Sequence, residues 1–487
     1  MFYQSTRSEK ETVRSTVAVL RGIAPDGGLY MPAQWPEGFD WKKLLPMSTR
    51  DMAAALFAYF LPDFEDIPGI VRRAYEGKFE TEDLTPLVPV GDRYVLELFR
   101  GPTSAFKDVA LSVLPQLITA ARKQEGIRDR IVILTATSGD TGKAALEGFH
   151  DVEGTGIIVF YPQGGVSAVQ RAQMVTQEGA NVRVCAVQGN FDDAQTGVKN
   201  IFARAEQENL LAGKPVRLSS ANSINIGRLV PQVVYYFRAY AELVRMGRIQ
   251  PGDRVDYTVP TGNFGDILAG YLAKKLGLPV GTLVCASNAN NVLTDFIRTG
   301  CYDRRRPFHK TVSPSMDILV SSNLERLLYL LSDGDTALVS GLMDDLREQG
   351  HYQIPAAMLE KLQKEFAADC ADDAATEATI GRVWKQHGYL CDTHTAVAWS
   401  VAEQFPGQRP NVVLSTASPY KFPAAVVRGL GETPQEDEFA VMDQLFGLTG
   451  VPIPRNLKGI GDRPERHLDV TGKETMLDYV LGVLDHE

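Results

Sequence analysis

A chain of 487 residues with 44% hydrophobic and 23% charged residues has the composition of a soluble globular protein with ample core, and its length predicts roughly three domains. The formal net charge of −10 excludes nucleic acid and anionic membrane as general partners, and no apolar run is long enough to span a bilayer. The five cysteines form no CxxC pair, and none of the seven histidines has a second at ligand spacing, so neither a disulfide framework nor a metal site is expected.

Residues 1–90 read as a mixed N-terminal unit. Met1 to Arg7 carries no apolar leader, so the protein reads as cytoplasmic. Ala24 to Pro32 is a turn followed by a short strand, and helical spacing marks Met52 to Leu61 and Ile70 to Tyr75. Pro86 to Pro89 reads as a connection. Beyond it, a β-prone run from Tyr94 to Phe99 breaks at Gly101-Pro102, and Lys107 opens a helical pattern through Val109, Leu111, Val113 and Leu114. A lysine in a first helical turn opposes the helix dipole, which favours the neutral amine. Such amines form Schiff bases with aldehydes.

Strands and helices then alternate. Arg130 to Thr135, Gly156 to Tyr161, Asn181 to Val187 and Pro215 to Leu218 read as strands. The helices between and after them run over about 143–150, 168–178, 192–206 and 227–246. Strand, turn and helix recur over 254–276, Thr282 to Ala286 is another strand, 355–405 reads as helical, and Asn411 to Ser415 is a late strand. This alternation predicts parallel sheets covered by helices, with ligands at the carboxyl ends of the strands.

Three turns carry candidate chemistry. Thr135 to Lys143 presents hydroxyls and backbone N–H groups at a helix start, which suits an anion; Ala144 stands where a P-loop needs Ser or Thr, so a nucleotide is excluded. Two Gly-Asn-Phe turns compete for a phosphate. In Gly189-Asn190-Phe191-Asp192-Asp193 two carboxylates complement the helix dipole and repel an anion. Gly262-Asn263-Phe264-Gly265-Asp266 has one carboxylate fewer and a glycine that lets the backbone approach a ligand, so it is the preferred cup. Asn225 and Arg228 lie three residues apart at the mouth of a helix, where both can face one side, and an arginine fork matches phosphate oxygens.

Together with Tyr3…Ser5-Thr6-Arg7, Ala24 to Pro32, Phe106-Lys107-Asp108, Thr137 to Gly142, Ser313-Pro314-Ser315-Met316-Asp317 and Thr416, these stretches resemble the threonine synthase family in its longer form with an N-terminal domain. The resemblance implies a fold type II pyridoxal-phosphate enzyme: two open, twisted, mostly parallel sheets covered by helices, plus an N-terminal mixed domain. It implies an N-terminal domain over 1–90, a large cofactor-binding domain over 91–109 and 241–487, and a small α/β domain over 110–240. Lys107 would carry pyridoxal 5'-phosphate, Gly262, Asn263, Phe264, Gly265 and Asp266 would hold its phosphate, and Thr416 would face its ring nitrogen. Thr137, Ser138, Asp140 and Thr141 match the loop that holds the substrate carboxylate. Asn225 and Arg228 match the family's Asn-x-x-Arg-Leu stretch and would hold the substrate phosphate. The implied reaction turns O-phospho-L-homoserine and water into L-threonine and phosphate, in a monomer or homodimer. A related lyase or dehydratase acting on hydroxy or phosphorylated amino acids is the alternative.

Overall fold

The computed structural model describes residues 1–35, 38–137 and 139–486. Two sheets organise the chain. The larger has six strands in the order Phe366–Cys370, Val280–Ser287, Val255–Pro260, Asn411–Ser415, Arg93–Glu97 and Leu87–Val90. All its neighbours are parallel except the last pair, a hairpin. The smaller has five parallel strands in the order Asp469–Gly472, Val182–Gln188, Thr155–Pro162, Arg130–Ala136 and Val216–Ser219. A three-stranded antiparallel sheet of Ser8–Val13, Tyr3–Ser5 and Tyr30–Pro32 begins the chain.

The strands of parallel sheets are covered on both faces, which is why they read as apolar runs rather than as alternations: every residue of Thr155–Pro162 is buried. Helices supply the cover. Ile226–Arg245 is buried along most of its length and packs between Thr49–Phe60 and Gly265–Lys275. Two N-terminal helices have well-formed starts: Ser48 accepts from Asp51 N–H to cap Thr49–Phe60, and Asp66 accepts from Gly69 N–H to cap Ile67–Tyr75. The expected fold class is the one observed, mixed α/β with parallel sheets.

Four expectations need correction. The helix expected to run on from Lys107 is two helices, Asp108–Leu111 and Leu114–Gln124, because Pro115 lacks an N–H and its ring excludes the carbonyl of Leu111 from a continuous helix. The connection at 86–89 lies mostly in the edge strand Leu87–Val90, turned into its partner at Gly91, whose φ of 59° is in the left-handed region. The helical stretch 355–405 contains the strand Phe366–Cys370, whose alanines give little β signal but which pairs in parallel with Leu283–Ser287. Finally, 241–487 does not stay with one sheet. Asp469–Gly472 pairs with Cys185–Gln188 of the smaller sheet, and Met476, Leu477 and Val480 of the final helix pack with Val187 and Val198 there.

Candidate active site

The carboxyl ends of the parallel strands feed loops that meet around Lys107. The loop after Arg93–Glu97 is tied to the loop after Asn411–Ser415: Phe106 N–H donates to Thr416 O at 2.8 Å and Ser418 N–H to Ser104 O at 3.1 Å. Buried Asp108 accepts from Thr103 N–H at 2.8 Å and from the Thr103 hydroxyl, which folds the loop back on itself. Ser104, in the left-handed region at φ 61°, donates to Asn456 Oδ1, and Asn456 Nδ2 donates to Pro102 O. A strained residue held by several partners is how a rigid loop presents one side chain.

That side chain is Lys107. Its Nζ lies 4.6 Å from the Phe106 ring centre and, among the described residues, has no hydrogen-bond or ion-pair partner. Its proton affinity is lowered, and burial is the largest cause; nearby charges follow, Asp140 and Asp266 raising it, Arg228 and Lys421 lowering it. The helix dipole argued from sequence is the lesser effect, since Asp108–Leu111 is a helix of only four residues. Lys107 is thus a half-buried amine under the influence of two carboxylates and two cations.

Of the two Gly-Asn-Phe turns, 189–193 closes on itself. Asn190 N–H donates to Asp193 Oδ2 and Asp193 N–H to Asn190 Oδ1, each at 2.9 Å, on the protein surface. The turn at 262–266 is buried except for Asn263. Phe264, in the left-handed region at φ 65°, aims the start of Gly265–Lys275, and a Cβ built on Gly265 would have Asn323 Nδ2 at 3.5 Å and Gln232 Nε2 at 3.6 Å as its nearest neighbours. Space bordered by amide donors at a helix start suits a phosphate. Burial pushes the Asp266 carboxyl up to about 6, which still leaves it mainly ionised at pH 7. Thr416, buried at the end of the late strand, has no side-chain hydrogen bond among the described residues.

The expected substrate loop is assigned differently by its bonds. Thr137 Oγ1 accepts from Gly139 N–H and Gly142 N–H, so it shapes the turn, and Ser138 lies outside the described residues. Thr141 is half-buried at the helix start. Asp140 is already engaged: Lys421 Nζ lies 2.9 Å from its Oδ1, Gln170 Nε2 donates to the same oxygen at 3.0 Å, and Ser315 Oγ donates to Oδ2 at 3.1 Å. Burial pushes the Asp140 carboxyl up, but Lys421, Lys107 and these hydrogen bonds override it and hold it well below the usual range.

Arg228 and Asn225 separate. Asn225 caps its helix, accepting from Gly227 N–H at 2.8 Å and donating to Val19 O at 2.9 Å, so its amide is already committed. Arg228 is 3% exposed, donates from Nη1 to Ala221 O at 2.8 Å, and leaves Nε buried without a partner. No carboxylate pairs with it among the described residues, and burial alone pulls its proton affinity down to about 10. An uncompensated buried guanidinium with a free donor is built to meet an anion. Lys143, the other cation considered, is taken by Glu147 at 3.0 Å and by Gln177.

Sequence reasoning missed Lys421 as a site residue. Its signal is a lysine flanked by Tyr420, Phe422 and Pro423 just after a buried strand, a setting in which a solvated side chain has nowhere to go. Ser315 is placed by its own network: its N–H donates to His394 Nε2 at 3.2 Å, and His394 Nδ1 faces Asp392 Oδ2 at 2.8 Å, so Nε2 is the acceptor and Nδ1 carries the proton.

With this geometry in hand, comparison with known proteins is informative. The models of the threonine synthase N terminus, the pyridoxal-phosphate dependent enzymes and the threonine synthase C-terminal region match residues 2–75, 82–417 and 395–480. The human protein named threonine synthase-like 1 is 40% identical over 85% of the chain, and the chain spans 57% of that relative's length. The threonine synthase of Pseudomonas aeruginosa is 39% identical over 89% of the chain and 92% of its own. A crystal structure of PLP-bound threonine synthase from Brucella melitensis superposes with a TM-score of 0.88 at 39% identity, covering 100% of this chain and 99% of that one.

Proposed function

The chain belongs to the threonine synthase family, and from that premise we propose that it converts O-phospho-L-homoserine and water to L-threonine and phosphate with pyridoxal 5'-phosphate as cofactor. The residues present fit that cofactor. Lys107 offers an unpartnered, half-buried amine, the 262–266 turn offers space at a helix start, and Thr416, whose hydroxyl has no hydrogen bond among the described residues, is tied to the Lys107 loop through its carbonyl. In the proposed assignment Lys107 carries the cofactor, Gly262 to Asp266 hold its phosphate, and Thr416 meets the ring nitrogen as a neutral partner. When bound, the cofactor supplies an electron sink for carbanions of the amino acid.

The remaining chemistry belongs to the chain. Lys107 Nζ, once the substrate amine has taken its place, removes the protons at Cα and then Cβ. Phosphate leaves Cγ with its C–O electron pair as the pair freed at Cβ forms a Cβ–Cγ double bond; one proton then returns to Cγ to make the methyl group, water adds its hydroxide at Cβ and gives its other proton to the phosphate, and the second proton returns to Cα. The observation that carries the synthase reading is Arg228. The substrate brings a second phosphate, and a buried arginine with a free Nε, apart from the 262–266 turn, provides for it. A dehydratase of unphosphorylated hydroxy amino acids has no use for such a group.

The test is twofold. Borohydride reduction of the cofactor-loaded protein, followed by peptide mapping, is expected to place the label on Lys107; label on Lys143 or Lys421 refutes the assignment. Product analysis is expected to show threonine and phosphate in equal amounts from O-phospho-L-homoserine, whereas a 2-oxo acid in place of threonine would make the protein a lyase without water addition.

A further inference from the structure

Two buried side-chain amides border the 262–266 turn, and the fold uses only part of each. Asn323 is 0% exposed and Gln232 3% exposed. Each is turned by a partner that permits one orientation. A guanidinium can only donate, so Asn323 directs Oδ1 to Arg326 Nη1 and Nδ2 to Asn263 O at 3.1 Å. A main-chain carbonyl can only accept, so Gln232 directs Nε2 to Arg228 O at 2.9 Å, while the Tyr235 hydroxyl donates to its Oε1 at 3.2 Å. An amide nitrogen carries two protons, and among the described residues each of these nitrogens has one acceptor. One proton is left over on each.

The two nitrogens meet at one place. They lie 3.5 and 3.6 Å from the position a Cβ would take on Gly265, the first residue of the helix Gly265–Lys275. The first N–H groups of a helix have no partner within it, and that of Gly265 has no acceptor among the described residues. The turn's one carboxylate is engaged by its own helix, since Asp266 Oδ1 accepts from Ile267 N–H at 2.9 Å. Donors from three separate elements therefore border one space. Buried donors left over in this way call for an acceptor with several lone pairs, which a phosphate has.

Resting on the cofactor assignment above, we propose that Asn323 and Gln232 donate to the phosphate of the cofactor, beside the backbone of the 262–266 turn. Arg326 sets the sense of the Asn323 amide, and through its bond to Tyr30 O the N-terminal sheet supports that orientation. Gln232 stands one turn beyond Arg228 on the helix Ile226–Arg245, so a single helix serves the cofactor phosphate at one residue and the substrate phosphate at the other.

Pyridoxal carries the same ring and aldehyde without the phosphate, and so isolates the role given to the amides. The cofactor-free full chain is titrated with pyridoxal 5'-phosphate and, separately, with pyridoxal, each followed by absorbance. Gln232→Met removes one donor at similar size and is expected to weaken pyridoxal 5'-phosphate about tenfold. Asn323→Asp keeps an acceptor for Arg326 but sets a negative charge where a donor stood, and is expected to weaken it about a hundredfold. Pyridoxal is expected to bind both variants as it binds the parent, within about twofold. If Asn323→Asp does not fold, Gln232→Met, which leaves the Arg326 network in place, decides alone. Unchanged affinity for pyridoxal 5'-phosphate in the folded variants overturns the proposal. Equal losses for the two compounds overturn it as well, because the amides would then shape the pocket without holding the phosphate. The parent keeps the two readings apart. A parent that binds pyridoxal 5'-phosphate no more tightly than pyridoxal, or carries it on a lysine other than Lys107 after borohydride reduction, defeats the cofactor assignment itself.

Discussion

Two buried arginines, Arg228 and Arg326, show how the same group serves two ends. Burial pulls both guanidinium groups down to about 10. Arg326, at 0% exposure, has each nitrogen bonded: Nε to Tyr30 O, Nη1 to Asn323 Oδ1 and Nη2 to Ile224 O. It ties the N-terminal sheet, the loop beside the 262–266 turn and the loop before Arg228 into one body. The contacts continue next door, where Arg7 grips Glu325 with two bonds of 2.9 and 2.8 Å and the Thr6 hydroxyl donates to the same carboxylate. Arg228 has one bond and an orphaned Nε. A filled inventory of donors marks a residue that builds the fold, and an unfilled one marks a residue that awaits a ligand.

Stability tests the contrast most severely. Arg326→Met strands three acceptors and is expected to cost about 3–5 kcal/mol in denaturant unfolding of the cofactor-free chain. Arg228→Met strands only Ala221 O and removes an uncompensated charge, so its stability is expected within about 1 kcal/mol of the parent. Equal losses in the two variants would erase the distinction. Kinetics reads the other side of it. Arg228→Ala is expected to lose about 2–4 kcal/mol of kcat/KM toward O-phospho-L-homoserine with the cofactor spectrum unchanged. Arg228→Lys returns the charge without the fork and recovers part of that loss. Parental kinetics in Arg228→Ala would move the substrate phosphate elsewhere.

Much of this was legible in the sequence because strand-turn-helix units write themselves locally. Gly262 to Asp266, Thr137 to Gly142 and the stretch ending at Lys107 each follow an apolar strand and precede a helix, so their places at the sheet's carboxyl edge follow from periodicity. What sequence could not give was partnership. Asn225 and Arg228 look equally available at a helix mouth, and only the fold reveals that Val19 O and Gly227 N–H engage the one and leave the other open. Asp140 reads as a loop residue for a carboxylate until Lys421, distant in sequence, is seen against it. The strands Phe366–Cys370 and Asp469–Gly472 were invisible for the same reason, since each is defined by a neighbour far along the chain rather than by its own composition.

The smallest effect sharpens the contrast of filled and unfilled groups at backbone level, between the two Gly-Asn-Phe turns. A Cβ at Gly265 meets nothing closer than 3.5 Å, so the first side-chain atom of Gly265→Asp enters the cofactor-free chain without a clash. What it adds is a carboxylate in the space between the helix start and the amides of Asn323 and Gln232, where the cofactor phosphate is proposed to sit. Cofactor affinity is therefore expected to fall about tenfold or more, with Gly265→Ala intermediate. At Gly189 the same substitution brings Cβ to 2.7 Å from Asp193 Oδ2 and disturbs a cap that Asn190 and Asp193 make with each other. Gly189→Asp is expected to cost about 1 kcal/mol of local stability and to leave cofactor affinity untouched. Titration of both variants with pyridoxal 5'-phosphate, followed by absorbance, separates the outcomes. Full affinity in Gly265→Asp with loss in Gly189→Asp would transfer the phosphate to the turn whose donors are already bonded, and with it would fall the rule that unfilled groups mark the site.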